Sequence, residues 1–445
     1  MTLKKFGLYL FIFLLTESLI NEKAAVICGA SQVNYIYAIG LIFTALGYLS
    51  FSFSKITHSK KIIVFNVSII EISLFLLVLV KSALLLIVCG YICLLSLGYF
   101  GAYIHYLNSF NLHRKNYALN LGLCSTFAIV AQYIVQNIDI SFTTSIVILL
   151  VAASLLLFTV IMSDEITEDI SSEKDFLSQG ISINVRTIVY VSAVAIMSVI
   201  LGFQDSIIVA KNATGELQLF SYVRLFYAVG LLLAGIIANI KNRVYLPLAS
   251  GCAMTLSVLS ISFFGNSNSL YNISMAIMYF YCGFYVMFMT IMFMELGIRK
   301  SEPKLYAGFG RIVRSLVTCI TVLFTTIFSN IGTPVYTILS CILSIALLIL
   351  MALSGILIPE RTIIKEIPVS FTEESLSEKL EKFFEEFSLT PKEQEAFIKL
   401  TTTEMGVQEI ADEMAISRRV LQRHIASIYE KTGTKTRVGL LMLFR

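Results

Sequence analysis

Charge is what this chain has least of. Asp, Glu, Lys and Arg make up 14 % of its 445 residues, against 57 % hydrophobic, and the mean hydropathy is +0.83. Soluble domains do not reach that balance, so a water-soluble fold is excluded for most of the length. Tryptophan is absent, and there are four histidines and six prolines. None of the eight cysteines (Cys28, Cys89, Cys93, Cys124, Cys252, Cys282, Cys319 and Cys341) has C-x-x-C spacing, and four histidines cannot complete a zinc set. All eight stand in or beside apolar runs and are expected to be packing residues. A Walker A loop, a nucleophile elbow and a Rossmann glycine set are also missing. No enzyme activity, cofactor or metal is therefore expected.

Long uncharged runs are what the chain does have. Twelve are read as transmembrane helices, at about 6–27, 32–53, 62–80, 83–109, 117–137, 143–162, 186–208, 217–239, 244–264, 270–296, 306–328 and 334–357. Strands of a membrane barrel would be shorter and would alternate. Lys4 and Lys5 precede an apolar stretch as in a signal peptide. Glu17, Asn21, Glu22 and Lys23 stand where its cleavage site would be, so a retained first helix is expected. With the N-terminus inside, the inner segments hold Lys4, Lys5, Lys55, Lys60, Lys61, Arg114, Lys115, Lys174, Arg186, Lys241, Arg243, Arg299, Lys300 and Lys304. The outer segments hold Lys23, Lys81 and Lys211. The positive-inside rule selects that orientation, and an even number of spans returns the C-terminus to the cytoplasm.

The membrane part repeats itself. Tyr37-Ala38-Ile39-Gly40-Leu41 recurs as Tyr227-Ala228-Val229-Gly230-Leu231, and Lys115-Asn116-Tyr117-Ala118 as Lys304-Leu305-Tyr306-Ala307, each about 190 positions later. Two six-helix halves in parallel are implied, at 1–162 and 186–357, joined by an acidic loop at 163–185. Six plus six helices around a central loop resembles the major facilitator superfamily in topology. That family's loop between spans two and three has the form Gly-x-x-x-Asp. Here it reads Ser54-Lys55-Ile56-Thr57-His58-Ser59-Lys60-Lys61. The missing motif suits a transporter-like fold used as a sensor.

Beyond the last span, residues 358–388 form a linker. Leu376, Leu380, Phe383, Phe384 and Phe387 recur in it at helical spacing, preceded by a capping box at Ser370 and Glu373. Such a helix can pack within its own chain or pair two chains. Residues 389–445 read as short helices. Thr390 is an N-cap with Pro391 at the first helical position and Glu393 three residues on. Ser417 caps a helix lined by Leu421, His424, Ile425 and Ile428, and Gly433 stops it. From Ile416 onward Arg418, Arg419, Arg423, Lys431, Lys435, Arg437 and Arg445 stand against Glu430 alone. A cation cluster on a helix-turn-helix frame is a phosphate-facing pattern.

This segment resembles the LuxR-type (GerE-like) DNA-binding domain at Leu389-Thr390-Pro391, Glu393, Ile410-Ala411, Ile416-Ser417, His424, Ile428, Lys431, Gly433 and Arg437. The resemblance implies that Gln422, Arg423 and Ala426 face base edges of double-stranded DNA, with Arg418, Arg419 and Lys431 near phosphates. It also implies self-association on a two-fold site.

Polar residues at membrane depth are the ligand candidates. Glu17 in span one and Gln204 and Asp205 in span seven take nearly equivalent places in the repeat, and Arg224 in span eight lies near the depth of Asp205. A polar pocket for a small-molecule ligand, or a structural ion pair, fits this placement. Arg311 and Arg314 read as interfacial anchors, and Glu71, His105 and Glu295 rank below the others. The expected fold is all-α: a twelve-span bundle of two transporter-like halves with a C-terminal four-helix helix-turn-helix domain. The expected function is a one-component transcription regulator of a bacterial inner membrane, a membrane sensor coupled to DNA. The alternatives are a secondary transporter with a regulatory tail and a membrane adaptor whose tail binds protein.

Overall fold

The computed structural model describes residues 2–54, 60–112, 114, 116–162, 185–213, 222–240, 243, 245–264, 271–298, 303–328, 333–353, 380–381, 383–402, 407–434, 440 and 443. The acidic loop, the capping box of the linker, and Lys435 and Arg437 fall outside the described residues. The chain divides into two compact units, Met1–Glu360 and Arg361–Arg445.

Twelve long helices are described in the first unit. They are α1 (Thr2–Cys28), α2 (Ala30–Phe53), α3 (Lys60–Leu79), α4 (Ala83–Ser109), α5 (Tyr117–Asn137), α6 (Phe142–Ile161), α7 (Val185–Ala213), α8 (Leu225–Ala238), α9 (Tyr245–Phe264), α10 (Tyr271–Ile298), α11 (Pro303–Ile327) and α12 (Thr333–Leu353). Their positions follow the apolar runs, because a backbone in lipid satisfies its own N–H and C=O groups most simply as helix. Nine are long and apolar enough to cross a membrane. The charges in α1 and the shortness of the apolar parts of α8 and α9 set those three apart.

The packing is duplicated. Helix α1 contacts α2, α4, α5 and α6, while α4 contacts α2 and α3, and α3 contacts α6. In the second set α7 contacts α10, α11 and α12, α10 contacts α8 and α9, and α9 contacts α12. Between the sets the principal pairs are α2 with α11 and α5 with α8, which the sequence repeat also relates to each other. The α5–α8 approach needs glycine on both sides: a Cβ on Gly122 would stand 2.9 Å from the Leu231 carbonyl oxygen and 3.0 Å from Gly235 Cα.

Apolar side chains point outward as well as inward. Phe65, Ile72, Phe75 and Leu79 of α3, Val147, Val151, Leu155 and Phe158 of α6, and Ile338, Ile342, Ile345 and Ile349 of α12 are exposed. Water would penalise such a surface, and lipid tails would not. Helix α10 is the most enclosed of the spans, 89 % buried across its apolar window, and its Met, Tyr and Phe side chains fill the centre.

The second unit contains α13 (Pro391–Thr402), α14 (Val407–Glu413) and α15 (Arg418–Thr432). The fourth helix of the expected domain would fall at 435–445, most of which lies outside the described residues. The caps are those expected from sequence. The Thr390 N–H donates to Glu393 Oε2 at 2.8 Å, and the Val420 N–H to Ser417 Oγ at 3.3 Å. Gly433 stops α15 in the left-handed conformation, at φ 67°. Ala396, Phe397, Leu400, Ile410, Ala411, Met414, Leu421 and Ile428 form the core. Phe383 of the linker packs on Phe397 with ring centroids 4.8 Å apart, so the linker's aromatic stripe is part of this core.

One ion pair fastens α15 to α13. Lys431 Nζ donates to Glu393 Oε2 at 2.7 Å and to the Ser388 carbonyl at 3.0 Å. Burial alone would push the Glu393 carboxyl up. Hydrogen bonds from Lys431, Ser427 and Thr390 outweigh it and hold the carboxyl at about 2, below its ordinary 4.5. A depressed carboxyl stabilises the fold fully above about pH 4.5, and that contribution is lost as pH falls toward about 2. Glu393→Gln is expected to cost the segment 371–445 about 1.5–3 kcal/mol at neutral pH. It should also flatten the acid limb of stability. Urea unfolding at a series of pH values measures both, and an unchanged acid limb would remove Glu393 from this role.

Candidate functional site

Where α1, α2, α5 and α6 of the first set face α7, α8, α10 and α11 of the second, they leave a cavity of about 690 Å³. Its wall includes Glu17, Asn34, Tyr37, Gln132, Gln136, Arg224, Tyr227, Tyr285 and Arg314. Tyr37 and Tyr227 are the repeat-related tyrosines, so the duplication sets equivalent rings into one space. The cavity reaches the end of the bundle where α1 meets α2 and α5 meets α6, since Asn21, Glu22, Ile138 and Ile140 also line it.

Several of the wall's polar groups are held. The Arg224 guanidinium donates to Gln132 Oε1 at 3.1 Å, joining α5 to the start of α8, and lies 5.9 Å from the centre of the Tyr279 ring. Gln132 donates to the Leu14 carbonyl at 3.2 Å, and Gln136 to Ser18 Oγ at 2.6 Å. Glu17 and Arg314 supply charges of opposite sign to the same space. Such a wall can receive a polar solute that offers both hydrogen bonds and charge.

The opposite end is tied shut. Arg243, between α8 and α9, donates to the Leu112 carbonyl and pairs with Glu295 at 3.3 Å. Asn239 donates to Asn116 Oδ1 at 2.9 Å, and Ser52 to the Lys304 carbonyl at 3.4 Å. Three of these four contacts join α1–α6 to α7–α12. Among the described residues, the cavity thus reaches one end of the bundle, and polar contacts latch the two sets at the other.

Of the expected ligand residues, Glu17 and Arg224 line the cavity. Gln204 does not: it is 2 % exposed and accepts from Ser257 Oγ at 3.1 Å, between α7 and α9. Leu201 and Gly202 of α7 line the cavity instead, while the Gln204 side chain is taken up by Ser257 of α9. The side chain of Asp205 lies outside the described residues. Arg314 is a correction, because it lines the cavity where an interfacial anchor was expected. It stands eleven residues into α11, roughly 16 Å along the axis at 1.5 Å per residue, too deep for an anchor. Counting from the start of the helix would have found it. Of the lower-ranked residues, Glu71 accepts from Ser154 on α6, and the His105 ring packs between Phe6 and Tyr48.

In the second unit Arg418, Arg419, Gln422, Arg423 and Ala426 are exposed on α15, with Leu421 and Ile428 buried on its other side. Lys431 is committed to Glu393 and the Ser388 carbonyl.

No known protein-family model matches the chain, and no curated protein matches it in sequence. Solved structures do match in fold. The human organic anion transporter MFSD10 (TETRAN) superposes with a TM-score of 0.59 at 12 % identity, covering 79 % of this chain and 98 % of that one. The major facilitator proton:xylose symporter XylE, bound to 6-bromo-6-deoxy-D-glucose, superposes with a TM-score of 0.58 at 10 % identity, covering 79 % and 94 %. The protein has a major facilitator-like fold. At these identities the likeness shows fold alone.

That likeness overturns the reading of the chain as a one-component transcription regulator whose membrane part only senses. Nearly the full length of two transporter chains is reproduced, and the cavity spans both helix sets. The loop after α2 was weighed against transport because it lacks Gly-x-x-x-Asp. The repeat gives that loop a counterpart after α8, which reads Gly235-Ile236-Ile237-Ala238-Asn239 and leads to Arg243. There the latch is made, with an amide in place of the carboxylate.

The site predicts a one-sided accessibility. With the orientation expected from the Lys and Arg distribution, in a cysteine-free background that keeps the fold, Gln136→Cys should react with a membrane-impermeant thiol reagent added outside cells, and Asn116→Cys should not. Labelling of Asn116→Cys alone would reverse the open end, and labelling of both from one side would abolish the distinction between the ends.

Proposed function

We propose that this protein is a secondary transporter of small polar organic solutes with a regulatory C-terminal unit. The observation that carries the reading is the cavity between the two helix sets, charged at membrane depth, open at one end and hydrogen-bonded shut at the other. Moving a solute requires that the latch release as the open end closes. The ties around Arg243 and Asn239 lie at the polar end of the bundle, where water can replace a broken hydrogen bond, so their release is compatible with exchange between two states. In this reading all twelve helices cross the membrane. Both termini face the cytoplasm of a bacterial inner membrane, and the halves are 1–162 and 186–357, as the Lys and Arg distribution supports. Organic anions and sugars are the first solutes to try, because those classes are named for the proteins of similar fold and the wall offers Arg224, Arg314 and tyrosine hydroxyls.

Uptake and efflux of labelled organic acids and sugars, in cells or proteoliposomes, test the proposal. At least one solute should cross faster than in empty membranes. Arg314→Gln should reduce that flux at least tenfold with unchanged protein in the membrane. Arg243→Ala should loosen the latched end and lower the outside reactivity of Gln136→Cys. No flux above background across both classes, with Arg314→Gln indistinguishable from the parent, would defeat the reading.

For the C-terminal unit (residues 389–445, after the linker 358–388), the capped α15 with its exposed Arg418, Arg419, Gln422, Arg423 and Ala426 supports a contact surface for a polyanion. The LuxR-type resemblance makes double-stranded DNA, bound by paired copies, the partner to test. Arg423→Ala in segment 371–445 should weaken binding to a preferred duplex by about 1–3 kcal/mol in a titration by fluorescence anisotropy. Equal, weak binding to every duplex by both forms would remove the base-reading role.

A further inference from the structure

Below the main cavity, where α1, α2 and α11 converge, lies a separate chamber in which the centre of a water-sized sphere can move through about 10 Å³, room for a single water or a single monatomic ion. Its lining includes Tyr9, Thr44, Tyr48, Arg311, Arg314 and Ser315: two guanidinium groups and no carboxylate. Arg311 is 8 % exposed, and its Nε and one Nη are buried without a hydrogen-bond partner. It stands roughly 12 Å along α11 from Pro303, at 1.5 Å per residue, beyond the reach of headgroups.

A buried cation is tolerated where charge or several acceptors compensate it. The carboxylate whose field reaches Arg311, Glu17, lines the larger cavity and is shared with Arg224 and Arg314, and the hydroxyls around this chamber do not make up the difference. Tyr9 and Tyr48 lie 3.2 Å apart and spend one of their two protons on each other, and the Thr44 hydroxyl donates to the Gly40 carbonyl at 3.1 Å. What remains facing the chamber is rich in donors: the guanidinium N–H groups, one phenolic O–H and the Ser315 hydroxyl, with only hydroxyl oxygens as acceptors. We propose that this chamber is a binding site for a small inorganic anion of halide size, held by Arg311 with Arg314 and the Tyr9–Tyr48 pair. Arg314 lines both this chamber and the main cavity, so an anion here screens a charge that faces the solute. The site is independent of whether the protein transports.

The test uses the full-length protein purified in detergent, melted in sodium chloride, sodium bromide or sodium gluconate at equal ionic strength. Chloride and bromide should raise the melting temperature saturably, by about 2–4 °C. Gluconate, too large for the chamber, should not. Arg311→Gln should melt like the parent in gluconate and lose the halide shift. Should that variant fail to fold, retention of radioactive chloride by the parent protein, displaced by bromide and not by gluconate, decides the matter directly. Equal melting in all three salts with no retained chloride means that the chamber holds only water and overturns the proposal. So does a shift produced by gluconate but not by halides, which would assign the chamber to the anionic end of an organic solute. A halide shift that persists in Arg311→Gln would place the anion elsewhere and overturn it equally.

Discussion

A charge in an apolar bundle must face either a partner or a space shared with other polar groups, and this constraint organises the membrane unit. Glu17, Arg224 and Arg314 come from different helices and different repeats, yet all three line one cavity. Had the two helix sets packed without a gap, each charge would have been buried against hydrocarbon. The cavity is therefore the condition on which the charged residues and the fold coexist. The glycine contact of Gly122 with Gly235 brings α5 and α8 together beside it, and α2 with α11 does the same on the other side.

The latch obeys the same rule at lower cost. Arg243, Asn239 and Asn116 lie at the polar end of the bundle, where a broken hydrogen bond can be replaced by water. The buried apolar core is continuous within each set and also runs across α2–α11 and α5–α8. The polar ties between sets are the part that can change. In the proposed transport cycle these are the contacts that would release. The C-terminal unit stands on a different economy, a small apolar core fastened by the Glu393–Lys431 pair.

Legibility from sequence followed the range of the interactions. Helix positions were readable because span length is set locally by bilayer thickness and by backbone hydrogen bonding. The caps of α13 and α15 were readable for a similar reason, since Thr390, Glu393, Ser417 and Gly433 act within three or four residues of themselves. Glu17 and Arg224 were legible as charges out of place. Gln204 was legible as a polar group at depth, but which neighbouring helix its side chain meets is decided by packing, and it meets Ser257 of α9. Arg314 was missed because the start of its helix was placed too late, which made it look interfacial.

The sequence by itself determined that the chain is helical and membrane-borne, that its first part is duplicated, and that its last part is a capped helical unit. These properties depend on hydropathy, periodicity and short-range capping, all local in the chain. Tertiary structure alone decided that repeat-related tyrosines share one cavity, that Arg314 joins Glu17 there, and that Lys431 fastens Glu393 instead of standing free. It also decided that the latch lies after α8, where Arg243 meets Leu112 and Glu295. Each of these contacts joins residues far apart in the chain, and only the packing of one helix set against another, or of α15 on α13, brings them within reach.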